Sequence, residues 1–279
     1  MPMPMRMSAA SLIGRVLDPD IQLNHKIKSN LQLFGVDSTG NFTNHGKVLE
    51  SFHSNEGIAG LDHSPHARKT SDWLQKFVDI DGIEHLASSD QRATLVLTFH
   101  NHYKFLLPVA LGLLGHSVSA MAIDWKLSEV GQCAKTAQVY RDFFCDIESY
   151  FNGGQFIYLD GSSPLATFKT VSRSLRKNHI LISLNDIYHP ISGSRHSELN
   201  FLKHRLRCPT GVVEKAKALE AQVLCAYIYW DRDLAKYRLV IRDLNSENDT
   251  QKIVQNYVDL LEIEIVRDPG FWEGWKLLQ

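Results

Sequence analysis

Cysteine is scarce and scattered: four residues in 279, Cys133, Cys145, Cys208 and Cys225, with no CxxC pair among them. In a chain long enough to build its own core, they read as reduced residues of a cytoplasmic protein. Neither sign of charge is in excess. Thirty Lys+Arg stand against 31 Asp+Glu, a net charge of −1, so no global field is available to grip a nucleic-acid backbone. Glycine and proline, at 17 and 9, are too few for a collagen-like or low-complexity chain. Long apolar runs are missing as well. The longest, residues 105–122, is broken by Pro108, Gly112, Gly115 and His116. It divides into a buried helix and a strand more naturally than it forms a membrane span of about 20 residues. The opening stretch MPMPMRMSAASLIGRVLDPD has neither the charged start nor the apolar run of a signal peptide. The expectation is a soluble, cytoplasmic chain with no transmembrane segment, peripheral membrane contact being left open. Nucleotide-phosphate loops of the GxGxxG and GxxxxGK[ST] kinds are absent, and so is GxSxG, which leaves Ser162 and Ser163 as turn residues.

What is present is an α/β pattern. Residues 1–90 read as a helical flank of the same domain. Leu23, Ile27, Leu31 and Phe34 make one apolar stripe, and Trp73, Phe77, Ile80 and Ile83 another. From residue 91 to 279 short apolar runs alternate with helical periodicity. Strands are expected at 94–99, 117–123, 155–159 and 179–184, with helices between them. A polar loop over 186–198 leads to a helix near 212–220. Two strands at 223–229 and 237–241 form an antiparallel hairpin, and Val254, Tyr257, Val258, Leu261 and Ile265 mark a closing helix. This alternation predicts a mostly parallel central sheet with helices on both faces.

Ionisable residues fall just beyond the strands. His100 and His102 follow the first, Asp124 the second, Asp160 the third and Asp186 the fourth. Ligands in open α/β sheets gather outside the carboxyl ends of the strands, so these groups are candidates for one site. An Asp in such a place also caps helices and starts turns. Arg195, His196, Lys203, His204, Arg205 and Arg207 form a local basic cluster, read either as a solvated loop or as a patch for a phosphate-bearing arm or an acidic carrier protein.

Four segments in order resemble one family. Residues 98–108, TFHNHYKFLLP, resemble the signature block of the lysophospholipid acyltransferase superfamily, most of all its bacterial lipid A late acyltransferase branch. RKNHILISLND (176–186), NFLKHRLRCPTGVVEKAK (200–217) and YVDLLEIEIVRDPGFWEGW (257–275) resemble later segments of that branch, the last ending in its Pro-x-x-Trp-x-x-Trp tail. The resemblance implies an αβα fold and a His acting as general base on an acceptor hydroxyl or amine. It also implies a carboxylate five positions after the His, orienting the ring and stabilising the imidazolium. This chain departs there. Counting from His100 the position is Phe105, and counting from His102 it is Leu107. A strand-end Asp (Asp124, Asp160 or Asp186) must take the role, or family-type transfer is lost.

The expected activity is thioester-dependent transfer of an acyl or aminoacyl group to a hydroxyl or amine. His100 would be the base, His102 would share or assume its role, and Asp186 or Asp124 would orient it. Backbone N–H groups near Asn101 and His102 would face the oxyanion, and Asn101, Asp160, Arg195, Lys203, Arg205 and Arg207 would contact substrate. The donor would be an acyl or peptidyl carrier protein or acyl-CoA and the acceptor a small molecule or lipid. No cofactor or metal is required beyond the donor's phosphopantetheine, and no nucleic acid is expected. Three other readings stay open: a metal hydrolase using His100 and His102 with Asp124, Asp160, Asp186 or His189; a Cys–His acyl-enzyme using Cys133 or Cys208; and a catalytically silent binder of acylated carrier.

Overall fold

Residues 21–34, 45–62, 68–86, 92–123, 134–159, 163–188, 195–245 and 249–278 are described by a computed structural model. Helices α1 (Ile21–Leu33), α2 (His45–Asp62) and α3 (Ser71–Phe77) lead into strand β1 (Val78–Asp81). The alternation then runs β2 (Thr94–Thr98), α4 (Leu106–Leu113), β3 (Val118–Ile123), α5 (Ala134–Glu148), β4 (Phe156–Leu159), α6 (Pro164–Arg176) and β5 (Ile180–Leu184). A hairpin of β6 (His196–Phe201) and β7 (His204–Pro209) follows, then α7 (Gly211–Ala218), β8 (Gln222–Asp231), β9 (Lys236–Asp243) and α8 (Thr250–Arg267). A 3-10 turn, Pro269–Phe271, and the short α9 (Gly274–Leu277) close the described chain.

One seven-stranded sheet has the order β1-β9-β8-β2-β5-β3-β4, and β6 and β7 pair separately. Strands β2, β3, β4, β5 and β8 are mutually parallel, while β9 runs antiparallel to β8 and carries β1 parallel to itself. The fold is therefore α/β, with a mostly parallel sheet and helices on its flanks. Every residue of β2 is buried, as its unbroken apolar run requires of a strand covered on both faces. Among the described helices none is long and apolar enough to cross a membrane.

Two elements differ from the reading of the sequence. The stripe Trp73, Phe77, Ile80 and Ile83 is not one helix. Helix α3 stops at Phe77, and Val78-Asp-Ile-Asp81 alternates as an edge strand on β9. Gly82 ends it at φ 89°, where any Cβ would meet the Ile241 carbonyl oxygen at 2.2 Å. The polar loop is also shorter than expected. From His196 it becomes a hairpin whose outward side chains are polar, while Leu199, Phe201, Leu206 and Cys208 are buried. For β1 the distant strand β9 decides, and for the hairpin the burial of its apolar face decides, between strand and other states that local periodicity leaves equal.

Candidate functional site

Strands β2 and β5 are neighbours in register, with Thr98 opposite Leu184. Two residues beyond each strand stand His100 and Asp186, and the parallel register carries them to each other. His100 Nδ1 lies 2.6 Å from Asp186 Oδ1, and the His100 backbone N–H donates to Oδ2 at 2.8 Å. The indole N–H of Trp272 also donates to Oδ2, at 2.6 Å. Asp186 is fully buried, and these three donors supply what a buried carboxylate needs. With Nδ1–H committed to Asp186, Nε2 is left as the proton-accepting atom of a ring that remains 20% exposed. A histidine–carboxylate pair is thus assembled between neighbouring strands, without an acid at position 105.

The turn that presents His100 is stapled by Asn101. Its N–H donates to the Phe99 carbonyl at 2.8 Å, its Oδ1 accepts from the Tyr103 N–H at 2.9 Å, and its Nδ2 donates to the Ile228 carbonyl on β8 at 3.2 Å. Asn101 is fully buried, so the expectation that it binds substrate is corrected, and its N–H is not free to serve an oxyanion. His102 is corrected too. Two residues apart on a strand would point alike, but β2 ends at Thr98 and the chain turns. The His102 ring is buried, Nε2 donates to the Gly270 carbonyl at 3.2 Å, and Nδ1 faces Glu273 at 3.7 Å. His100 and His102 therefore serve different partners and do not make a ligand pair. Among the described residues, no three His, Cys, Asp or Glu gather as a metal-binding group. Asp124, Asp160, Cys133 and His189 lie outside the described residues. Cys208 packs its Sγ 3.9 Å from the Asp186 carbonyl oxygen, and burial, with the charge of Asp186, pushes its thiol well up, so it is no ready nucleophile.

His100 opens onto a cleft of about 860 Å³. One part is apolar, with Phe105, Pro108, Phe144, Phe156, Phe168 and Ile182 in its wall. Phe105, at the family's acid position, packs edge-on against Phe143 at 5.0 Å and Phe144 at 5.7 Å. It forms wall, not acid. The cleft also touches five cations: Lys26, Lys104, Arg205, Arg207 and Lys276. Of the basic cluster read from sequence, Arg205 and Arg207 reach this cleft. Arg195 is instead paired with Glu214 at 3.1 Å, and Lys203 sits exposed in the β6–β7 turn at φ 65°; neither lines it. Lys104 and Lys276 were missed. Lys104 lies within the His motif, and its position beside His100 was the available signal.

Lys104 and Lys276 are held by Glu273, whose N–H also donates to the His100 carbonyl at 2.7 Å. Burial would raise the Glu273 carboxyl, but Lys104, His102 and Lys276 outweigh it and hold the group well below the usual carboxylate range. Burial dominates at His102 and lowers its pKa to about 4, against opposition from Glu273. Because the folded state disfavours protonated His102, stability is complete above about pH 6.5 and is lost as pH falls toward 4. A drop from 6.5 to about 4 corresponds to roughly 3 kcal/mol. Thermal melts should fall across that window, and His102→Gln should melt with a flatter pH dependence. An identical slope in both proteins would contradict the burial of a neutral ring.

No protein-family model matches the chain, and no curated protein matches it significantly.

Phe105→Glu gives a second test of the site. Since Asp186 already occupies Nδ1, the new carboxylate would find no imidazole partner and would replace ring contacts with a half-buried charge. We expect a lower melting temperature, and an unchanged one would show that the Phe105 ring contacts contribute nothing to the wall.

Proposed function

We propose that this chain is a transferase that moves an acyl or aminoacyl group from a thioester donor, on a carrier protein or coenzyme A, to a hydroxyl or amine. The observation that carries this reading is the His100–Asp186 pair opening on a cleft with an apolar wall and a cationic rim. The acceptor's proton passes to His100 Nε2 as its oxygen or nitrogen attacks the thioester carbonyl. The C–S bond then breaks, and the proton held by His100 goes to the departing thiolate. Asp186 keeps the ring in the accepting tautomer and balances its charge while protonated. The apolar wall suits an acyl chain, and the cationic rim, in which Lys104 and Lys276 share Glu273 and Arg207 meets Glu198, suits the phosphates of a phosphopantetheine arm or an acidic carrier surface. The motif resemblance to the lysophospholipid acyltransferase superfamily supports the same chemistry. With no described helix able to span a membrane, a carrier-bound or diffusible acceptor is as compatible as a lipid.

The test is mass spectrometry of acceptor panels incubated with acyl- and aminoacyl-thioesters of coenzyme A and of carrier proteins. A mass gain on an acceptor with the wild-type chain, absent with His100→Ala, is expected. Thioester binding with no transfer to any acceptor class would instead favour the silent carrier binder. A metal-dependent hydrolase would require His100 and His102 to share an ion, and their separate partners speak against it.

A further inference from the structure

We propose that Trp272 is a positioning residue for the candidate base, its indole N–H fixing the rotation of the Asp186 carboxylate so that Oδ1 faces His100 Nδ1. The kinetic part of this rests on the transfer reading, but the positioning itself does not. A carboxylate on a strand-end loop can turn about its last bond and offer either oxygen. Here Oδ2 is held from two sides, by Trp272 Nε1 at 2.6 Å and by the His100 backbone N–H at 2.8 Å, leaving Oδ1 for the imidazole at 2.6 Å. The segment carrying Trp272 grips the other end of the pair as well. The Glu273 N–H donates to the His100 carbonyl at 2.7 Å, and Asn101 and Trp272 form an antiparallel bridge. One short stretch of the tail therefore holds both members of the pair.

The indole has little freedom of its own. It is fully buried, with Phe201 at 5.3 Å and Trp275 at 4.8 Å between ring centres. Gly274 is the space it occupies: a Cβ there would lie 2.0 Å from Trp272 Cε2 and 2.1 Å from Cζ2. Cε2 is bonded to the donating nitrogen, so any side chain at 274 pushes on the donor itself. An aromatic tail needed only for packing would require neither the donor aimed at Asp186 nor a glycine two residues on.

Trp272→Phe keeps a ring in the pocket and removes the donor. The activity-independent readout is the low-field proton on His100 Nδ1, observed by NMR in protein carrying ¹⁵N-labelled histidine. We expect it in the wild-type chain and expect it shifted upfield or broadened away in folded Trp272→Phe. Transfer should fall about 10- to 100-fold in kcat with KM little changed, the size seen when a partner orienting an imidazole is removed. Should Trp272→Phe fail to fold, Asp186→Asn supplies the reverse view, since the Trp272 indole N–H resonance must move when its acceptor becomes an amide. An unchanged His100 proton in folded Trp272→Phe, or an unmoved indole resonance in Asp186→Asn, would overturn the proposal. If the His100 proton responds but the wild-type chain transfers no group, the positioning stands and the transferase reading fails.

Discussion

Replacing His100 by Ala should slow transfer by about 10²- to 10⁴-fold while the protein stays folded, the usual size of a general acid–base contribution. Folding is spared because the ring packs at the cleft rather than in the core, and its backbone contacts to Asp186 and Glu273 remain. The truncation does leave the Asp186 Oδ1 without its ring partner, so a small fall in melting temperature should accompany the kinetic loss. Asp186→Asn should approach the same rate deficit by a different route. Its amide can donate to Nδ1, which favours the tautomer whose Nε2 carries a proton and cannot accept one. His102→Ala should leave catalysis comparatively intact and cost stability, since its ring is buried on Gly270 and Glu273. The reading is overturned if folded His100→Ala transfers the group at the wild-type rate, as measured by initial rates with the cognate thioester.

The second large effect is expected at the tail. Trp275→Ala should destabilise the protein by about 3–5 kcal/mol, as removal of fully buried large rings does. For a chain of this size that corresponds to a melting temperature lower by roughly 10 °C. The ring is fully buried 4.8 Å from Trp272 and 6.1 Å from Phe34, and its N–H donates to the Pro269 carbonyl at 2.8 Å. Its own carbonyl accepts from Asn30 Nδ2 at 2.7 Å, tying α1 to the tail. Deleting residues 268–279 should be more severe. It also removes Asp268, which accepts from Ser51 Oγ at 2.6 Å and Asn55 Nδ2 at 3.2 Å on α2, together with both tail contacts to the His100–Asp186 pair. Differential scanning calorimetry of the two variants checks this. A truncated chain melting like the full one would mean that the tail is not part of the core.

The carboxyl ends of β2 and β5 were legible in the sequence. Strands buried on both faces must be continuous apolar runs, so the first polar residues after Thr98 and Leu184 mark where each chain leaves the sheet. His100 and Asp186 are therefore candidates from the sequence alone. Which Asp would meet His100 was not legible. Asp124, Asp160 and Asp186 stood in equivalent positions, and the choice depends on strand order, a set of pairings between residues far apart in the chain. Only β5 lies beside β2 on that side of the sheet, 86 residues along from His100 to Asp186.

The same physics separates what each level decided. Local spacing determined where apolar runs begin and end, and through that the α/β class, the parallel strands and the polar residues at their ends. Tertiary structure alone decided the rest. Edge strand β1 forms because distant β9 pairs with it, and the β6–β7 hairpin, whose strands pair with each other, is held by burying Leu199, Phe201, Leu206 and Cys208 in the core. His102 leaves the site because Asn101 turns the chain immediately after His100. Trp272 reaches Asp186 because the tail folds back across both strand ends, bringing together residues that no periodicity relates. Backbone propensity and side-chain pattern act over a few residues, whereas a buried carboxylate takes its donors from whatever the packed fold sets beside it.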